Sequence, residues 1–391
     1  MNVLLYDGPE RNHLLPFTYL RPVAGLRLGI DCLQDKWEAA FKVDCSVYTQ
    51  DYLQKKYPPT FSDSNVFVNA SYIPNQYLVR AIQALNEGQQ LVKNEAVIAF
   101  KTVERQLPVD LAAYTKIEYD GEVLHLTGIA DLFLHNTTVL KQDFERITKD
   151  RKSAPISSTN QVIAPENVFL EEGAKVECAI LNASEGPIYI GKNAEVMEGS
   201  MLRGSSALCE NAVVKMGAKI YGGTTIGPFG KVGGELNNVV LFGYSNKGHD
   251  GFLGNAVIGE WCNIGAATDA SNLKNNYGKI RLWNYDQEGF AKTNLQFCGL
   301  IMGDFSRCSI HSTFNTATVV GICANLFGSG FPRTFLPSFS YGGAQGLSTY
   351  AFDKAMEANA AMMERRAKVL TEIDTTILAS VFEQSARWRK D

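Results

Sequence analysis

Residues 190–232 read IGKNAEVMEGSMLRGSSALCENAVVKMGAKIYGGTTIGPFGKV and decide the fold, because this stretch repeats every six residues. Its apolar series is Ile190, Val196, Leu202, Leu208, Val214, Ile220, Ile226 and Val232. Four places after each, the residue is small: Ala194, Ser200, Ser206, Ala212, Ala218, Thr224 and Gly230, with Leu236 as the exception. The spacing recurs at Ile258 and Ile264, and then at Met302, Cys308, Phe314, Val320 and Leu326. Such regularity indicates a repeat architecture.

A six-residue period fits neither an amphipathic helix nor a half-buried strand, whose periods are 3.6 and 2. A coil of three short strands joined by tight corners does fit it. Each strand then sends one apolar side chain into a triangular core, and each corner needs a small residue. Stacked coils pair their strands in parallel and stabilise one another. The alternative, an ordinary all-β domain of short strands, would alternate with period two.

Length, charge and composition restrict the classes of function. A chain of 391 residues predicts two or three domains. A net charge of −4 without a basic run argues against nucleic acid as a partner. The first residues show no signal-peptide pattern, and no run of 18 apolar residues occurs, so we expect a cytoplasmic protein without a membrane partner. The cysteines form no C-x-x-C pair, and those within the repeats are expected to be small buried hydrophobes: Cys178, Cys209, Cys262, Cys308 and Cys323.

Four segments follow from the pattern along the chain. Residues 1–150 alternate strand signals (2–6, 65–69 and 96–101) with a helix over 76–86, which predicts an α/β domain with a largely parallel sheet. Residues 151–160 are expected to be a linker and 161–335 the repeat domain. Residues 336–391 are predicted to be a wrapping segment and one long helix over 351–388. The helix carries an apolar stripe that we assign to packing: Met363, Ala367, Leu370, Ile377 and Val381.

The repeat is interrupted between Val232 and Ile258, and again between Thr268 and Met302. Interruptions of a solenoid are expected to form surface loops, often on the binding face. The first contains SNKGHDGFLG (245–254), with His249 beside a lysine and glycines. A neutral imidazole can accept a proton from an attacking amine or hydroxyl. Spacing alone equally allows a structural histidine.

The residues from IGPFGKV (226–232) through KGHDGFLGNAVIGEWCNIGAAT (247–268) resemble the acetyltransferase half of the GlmU-like family. These are bifunctional sugar-1-phosphate uridyltransferases and glucosamine-1-phosphate N-acetyltransferases. The resemblance implies a left-handed parallel β-helix of hexapeptide repeats, although the rule for parallel crossovers favours the right hand. It also implies a homotrimer, acetyl-CoA as acyl donor, His249 as general base and backbone contact of Ala266 with acetyl-CoA. The implied acceptor-binding residues are Lys247, Phe252, Asn263, Asn276, Tyr277 and Lys279.

Some positions depart from that family. Phe252 stands where the family has a tyrosine, and Gly233 where it has an arginine. The loss of that cation weakens the expectation of a sugar phosphate as acceptor. Lys231, Lys274 and Lys279 are the candidates for replacement charge.

The N-terminal segment PFT (16–18), followed by Arg21-Pro22, resembles sugar-1-phosphate nucleotidyltransferases, whose α/β domain is Rossmann-related. The resemblance implies binding of a nucleoside triphosphate by Gly8, Arg11, Thr18 and Arg21. The loop DGPER (7–11), however, keeps only one glycine. Asn69 occupies the place of a Mg²⁺-binding aspartate, which leaves Asp131 as a candidate ligand for Mg²⁺, with a helix or turn cap as its alternative role.

Three functional hypotheses remain open. The first is a sugar-nucleotide enzyme that combines nucleotidyl transfer with acetyl-CoA-dependent N-acetylation of an amino-sugar phosphate. The second is an acyltransferase alone, attached to a degenerate nucleotide-binding domain. The third is a non-catalytic trimeric scaffold.

Overall fold

A computed structural model describes residues 1–105, 107 and 109–389. It divides into two compact units, Met1–Leu26 with Asp31–Ile129, and Arg27–Ile30 with Ala130–Asp391. The division after Ile129 lies ahead of the predicted domain boundary at residue 150. Residues 131–148 cluster with the second unit in the structure, and the predicted domain boundary at residue 150 stays a prediction.

The first unit contains a six-stranded mixed sheet with three helices. Its strands are β1 (Asn2–Tyr6), β2 (Cys45–Tyr48), β3 (Asn65–Asn69), β4 (Gln89–Lys93), β5 (Ala96–Thr102) and β6 (Thr115–Glu118). Its helices are α1 (Leu33–Phe41), α2 (Asp51–Gln54) and α3 (Gln76–Gln83). The strand order is β2-β1-β3-β5-β4-β6.

The sheet is largely parallel, as predicted: three of its five strand pairings among the described residues are parallel, including β4 with β6, and both antiparallel pairings involve β5. β1 pairs in parallel with β2 and β3, but β5 is antiparallel to both β3 and β4. The reason is local: Asn94 and Glu95 both adopt positive φ and join β4 to β5 as a tight hairpin. Consecutive positive φ values are what a two-residue hairpin requires.

The second unit is a parallel β-solenoid of the left-handed β-helix type, with about 10 turns. Helices α4 (Asp131–Leu134) and α5 (Asn136–Thr148) precede it, and α6 (Phe352–Glu364) and α7 (Glu372–Gln384) follow it. Its strands are β7 (Gln161–Ile163), β8 (Val168–Leu170), β9 (Lys175–Val176), β10 (Ile180–Asn182), β11 (Ile188–Ile190), β12 (Glu195–Val196), β13 (Met201–Arg203), β14 (Ser206–Leu208), β15 (Val213–Val214), β16 (Lys219–Ile220), β17 (Thr224–Ile226), β18 (Lys231–Val232), β19 (Glu235–Leu241), β20 (Asn246–Lys247), β21 (Phe252–Ile258), β22 (Asn263–Ile264), β23 (Asp269–Ala270), β24 (Arg281–Asn284), β25 (Gly289–Lys292), β26 (Ile301–Met302), β27 (Arg307–Cys308), β28 (Thr313–Phe314), β29 (Val319–Val320), β30 (Asn325–Leu326), β31 (Phe335–Leu336), β32 (Ser340–Gly343) and β33 (Gly346–Thr349).

The hexad residues form the core of the solenoid, as predicted. Every member of the series from Ile190 to Val232 is buried in one continuous apolar cluster. Parallel pairing brings equivalent positions of successive coils together, for example Leu208 against Ile226 and Val214 against Val232. Each coil therefore buries its apolar side chains only against its neighbours.

The first predicted interruption does not leave the solenoid, and that prediction was wrong. β19, β20 and β21 continue the three faces between Val232 and Ile258, and β19 pairs with β16 at one end and with β17 at the other. The spacing between successive core residues is shorter here than six. It is four residues from Val232 to Leu236 and five from Leu236 to Leu241. The shorter spacing interrupts the six-residue period of the sequence. The coils of the solenoid nevertheless continue through this stretch.

The second interruption is a true excursion. The chain departs after β23 and forms the antiparallel hairpin β24–β25 before it returns at β26. Asn272 at its start donates from Nδ2 to Asn255 Oδ1 at 2.8 Å, which ties the excursion to β21.

Helix α5 packs on the repeat strands and explains the early boundary between the units. Leu140 lies in a buried cluster with Phe169, Tyr189 and Ala207. Asn136 at the start of α5 donates to the carbonyl of Gly223 at 2.7 Å. Both contacts hold this helix to the solenoid.

The C-terminal region contains two helices in place of the single predicted one. Ala367, a member of the predicted stripe, adopts φ of 52° and stands beyond the end of α6. The Thr371 side chain then accepts from Asp374 N, and the Asp374 carboxylate accepts from Thr371 N, so a capping box starts α7. Of the stripe, Met363, Ile377 and Val381 are buried.

The cysteine prediction holds except at one position. Cys209, Cys262, Cys308 and Cys323 are buried, whereas Cys178 is exposed and occupies a positive-φ corner. Among the residues that the structure describes, no helix is long and apolar enough to cross a membrane.

Candidate functional site

His249 lies on an exposed turn between β20 and β21. The turn is short because Gly251, with φ of 118°, passes close to the next coil, and a Cβ there would lie 2.1 Å from the carbonyl oxygen of Thr268. Hydrogen bonds from Ala267 N to Asp250 O (3.0 Å) and from Glu235 N to Gly251 O (3.1 Å) join the turn to the coils on either side. The imidazole is thus presented to solvent from an anchored backbone.

A column of polar side chains runs beside this turn. Successive residues of a strand point to opposite faces, so the residue before each core position faces outward. On this face those residues are Lys231, Asn246, Asn263 and Arg307, which pair in register. Asn246 donates from Nδ2 to Asn263 Oδ1 at 3.1 Å. Asn263 was predicted from the sequence, but Asn246 was missed, although its position one residue before the core phase could have indicated it.

Lys247 corrects a sequence prediction, because it is not available to bind an acceptor. Its side chain has 0% exposure and takes the core position of its coil, paired with Val232. Its Nζ donates to the carbonyls of His249 and Asp250. The compressed register between Val232 and Leu241 brings this residue into the core phase.

A group of cations surrounds Lys231. Burial lowers the pKa of Lys231, and the neighbouring charges of Arg366, Lys215 and Arg365 lower it further, with Glu195 opposing them. Arg365 and Arg366 follow the end of α6. Like charges gathered on one face favour an anionic ligand. Of these residues the sequence indicated only Lys231, because the course of the C-terminal helices could not be predicted.

Three predicted acceptor-binding residues lie on the excursion after β23. Tyr277 is 68% exposed and sits at the end of a turn in which its N–H bonds to Lys274 O at 2.9 Å. Asn276 is exposed, and its Oδ1 accepts from Gly278 N at 3.0 Å. Lys279 donates from Nζ to Asn294 O at 2.6 Å. Among the described residues, no hydrogen bond joins this group to the His249 side chain.

Phe252 and Ala266 are the remaining predicted residues of the solenoid site. Phe252 is half-buried, and its ring and the Asn272 amide lie over Gly254, where an added Cβ would be 2.7 Å and 2.5 Å from them. The Ala266 carbonyl accepts from His311 N at 2.8 Å. Phe252 directly follows the turn of His249, and its ring shares the space over Gly254 with Asn272 at the start of the excursion.

The predicted nucleotide loop of the first unit is occupied by its own side chains. Arg11 is buried, with Nε 3.2 Å from the Asp7 carboxylate and a bond to Thr18 O at 2.7 Å. Thr18 donates back to Arg11 O at 2.8 Å, and Arg21 donates to Phe17 O at 3.1 Å. These groups bond to the protein's own backbone and carboxylates, and their binding of phosphates stays a prediction.

A second network fills the space beside Gly8. Glu10 accepts from Asn69 Nδ2 at 3.0 Å and from His125 Nε2 at 2.9 Å, and Tyr72 stacks on His125. Burial opposes ionisation of Glu10, but the hydrogen bonds from His125 and Asn69 hold its pKa below the usual value. A Cβ on Gly8 would lie 2.3 Å from Asn69 Nδ2, so this glycine accommodates the network.

The residues present do not fit a magnesium site. Asn69 supplies an amide whose oxygen already accepts from Ser71 N and Oγ. Asp131 belongs to the second unit, at the start of α4, 4.0 Å from His135 Nε2. No group of three His, Cys, Asp or Glu side chains able to hold a metal ion occurs within residues 1–105, 107 and 109–389.

The chain combines an α/β domain with a parallel β-solenoid, and comparison with known proteins finds what each part resembles. Residues 3–152 match the family model "Sugar nucleotidyl transferase". The chain is also 25% identical over 228 residues to the bifunctional protein GlmU of two strains of Thermus thermophilus. That match covers 50% of this chain and 49% of each relative, so the chain matches about half the length of these relatives. Over part of its length, the chain is therefore similar to transferases of the GlmU-like family.

Two solved structures are more distant. One is a UDP-N-acetylglucosamine acyltransferase of Arabidopsis, with a TM-score of 0.29 and 15% identity over 60% of this chain and 96% of that chain. The other is PerB from Caulobacter crescentus in complex with CoA and GDP-perosamine, with a TM-score of 0.15 and 10% identity over 90% of this chain and 98% of that chain. Scores this low do not bear on the site.

Proposed function

We propose that the protein is an acyl-CoA-dependent acyltransferase of sugar-nucleotide metabolism that acylates a phosphorylated amino sugar. The observation that carries the proposal is His249, which is exposed on an anchored turn directly after the strand of Asn246, a residue that bonds to Asn263 and pairs in register with Lys231. The turn also carries the residues that resemble the GlmU-like acetyltransferase motif.

The chemistry needs one base and one anion site. Neutral His249 takes a proton from the amine of the acceptor as the nitrogen attacks the thioester carbonyl. The C–N bond forms, the C–S bond breaks, and the proton passes to the departing thiolate. Lys231 and its neighbouring arginines bind the phosphate. These cations replace the arginine that the family has at the position of Gly233. Phe252, Asn263, Asn276, Tyr277 and Lys279 would contact the sugar, and Ala266 would contact acetyl-CoA through its backbone.

A coupled assay of thiol release with acetyl-CoA and a panel of amino-sugar phosphates tests this function. We expect His249→Gln to lower kcat by about 100-fold or more, since general bases typically contribute 10²–10⁴. His135→Gln is the matched control, because His135 lies between α4 and α5, outside the coils of the solenoid. If His249→Gln keeps the wild-type rate, His249 is not the base. If acetyl-CoA is neither bound nor consumed, the scaffold hypothesis gains support.

Nucleotidyl transfer is a second candidate function, favoured by the family match of residues 3–152. The internal bonding of Arg11, Glu10 and Asn69 argues against it. Release of pyrophosphate from UTP or dTTP with Mg²⁺ and any sugar 1-phosphate would establish it. If no pyrophosphate is released with any member of the panel, the first domain has the nucleotidyltransferase-like fold but does not catalyse nucleotidyl transfer.

A further inference from the structure

Lys247 is a charged residue in an apolar core. Pairing of β20 with β18 and β22 puts it in line with Val232 and Ile264, both members of the buried cluster. Its side chain is completely buried. An ammonium group in such a place must find hydrogen-bond partners, because an unpaired buried charge is strongly unfavourable.

The hydrogen bonds of the Lys247 side chain among the described residues go to the turn that this residue begins. Its Nζ donates to the carbonyls of His249 and Asp250, the latter at 3.0 Å, and its own carbonyl accepts from Gly233 N at 2.8 Å. The side chain therefore closes a ring around residues 248–250. One of the two carbonyls that the Lys247 ammonium group holds belongs to His249 itself.

Other corners of the solenoid are tied without a charge. Ser200 donates from Oγ to Lys215 O at 2.9 Å, and Ser306 donates to Gly321 O at 2.7 Å. A neutral donor is therefore sufficient for folding at comparable corners. Burial of an ammonium costs more than burial of a hydroxyl, so a requirement beyond stability favours the lysine at this turn.

We propose that Lys247 is a positioning residue, whose ammonium group fixes the turn of residues 248–251 and thereby the imidazole of His249. The inference rests on the general-base role proposed for His249. The charged or titratable groups that act on Lys247 are Asp250 of its own turn, Asp269 of β23 and Cys308 of β27. Both carboxylates favour the ammonium form.

Amide hydrogen exchange of the whole protein tests the structural half of the proposal without any substrate. Lys247→Met keeps the length of the side chain but removes the charge, and Lys247→Ile installs the residue type of Ile264 in case the first variant does not fold. We expect exchange in residues 246–253 to become about tenfold faster in either variant, while residues 190–232 keep wild-type rates. The exposed Lys192→Met is the matched control and should change neither segment. Unchanged exchange in residues 246–253 would overturn the proposal.

Kinetics test the catalytic half. A displaced base costs rate more than binding, so we expect kcat of Lys247→Met to fall about tenfold or more with KM within about twofold. The wild-type profile of kcat against pH should show an alkaline decline near pH 8 that the variant lacks, since burial lowers the pKa of Lys247 to about 8. Full activity with the alkaline limb retained would refute positioning. A wild-type rate in His249→Gln would instead refute the proposed function, and the exchange result would still decide whether Lys247 holds the turn.

Discussion

The buried ammonium of Lys247 makes the stability of the solenoid depend on alkaline pH in a calculable way. Burial lowers the pKa of Lys247 from 10.5 to about 8, against the opposing effect of Asp250 and Asp269. Between these values the unfolded chain binds a proton that the folded protein has released. Stability therefore rises with pH across this window, because the unfolded state binds more protons.

The magnitude follows from the same pKa values. A difference of about 2.5 pH units corresponds to about 3.4 kcal/mol at 1.36 kcal/mol per unit, of which about 2.5 kcal/mol is gained by pH 10. Lys247→Met has no titrating group at this position and lacks the gain. The free energy of unfolding of wild type minus that of the variant should thus increase by about 2.5 kcal/mol from pH 7 to pH 10.

Urea denaturation of both proteins at half-unit steps from pH 7 to pH 10 measures this difference, and tyrosines and cysteines that titrate in both proteins cancel. Lys192→Met, at an exposed position, provides a control whose difference from wild type should stay flat. Parallel curves for wild type and Lys247→Met would refute the reasoning. A wild type that loses stability relative to the variant at high pH would refute its sign.

Four further outcomes are expected. Ile220→Ala should lower the free energy of unfolding by about 2–5 kcal/mol in chemical denaturation, because it empties a core position, whereas the exposed Lys219→Ala should change it by about 0.5 kcal/mol or less. Thr371→Ala should destabilise the C-terminal helix pair by about 1 kcal/mol through loss of its cap, measured by exchange in α7. Lys231→Met should raise KM for a phosphorylated acceptor while kcat is retained, and unphosphorylated sugars should show no such change. Sedimentation at micromolar concentration should give a trimer, and a monomer would contradict this expectation.

The repeat core could be predicted from sequence because one side chain per six residues carries most of the burial. Val214, Ile220 and Ile226 are buried where the period puts them. The compressed coil could not be predicted, because Leu236 and Leu241 keep the core filled while they break the count. The same irregular spacing prevented the prediction that Lys247 is a core residue. Its charge suggests a surface position, but the side chain is buried.

The candidate site was predictable only where it is local. His249 and its turn follow from a short motif with glycines, and the structure presents that residue to solvent. The cations near Lys231 are contributed partly by Arg365 and Arg366, more than 100 residues later in the chain. No spacing rule relates such residues. No glycine or proline marks the break between α6 and α7. The sequence signal for this break is the capping box of Thr371 and Asp374, which starts α7.

The first domain illustrates why single departures from a motif should be considered together. Glu10 adds a carboxylate to the loop where phosphates would otherwise approach, and this carboxylate is satisfied by Asn69 and His125. Aspartate at position 69 would lose the Nδ2 donor and put a second carboxylate about 3 Å from Glu10, a like-charge contact that is costly when buried. Asparagine at position 69 is therefore the complement of glutamate at position 10. A metal-binding carboxylate at position 69 would therefore require that Glu10 change as well. The residues at positions 10 and 69 depend on each other and should be interpreted together.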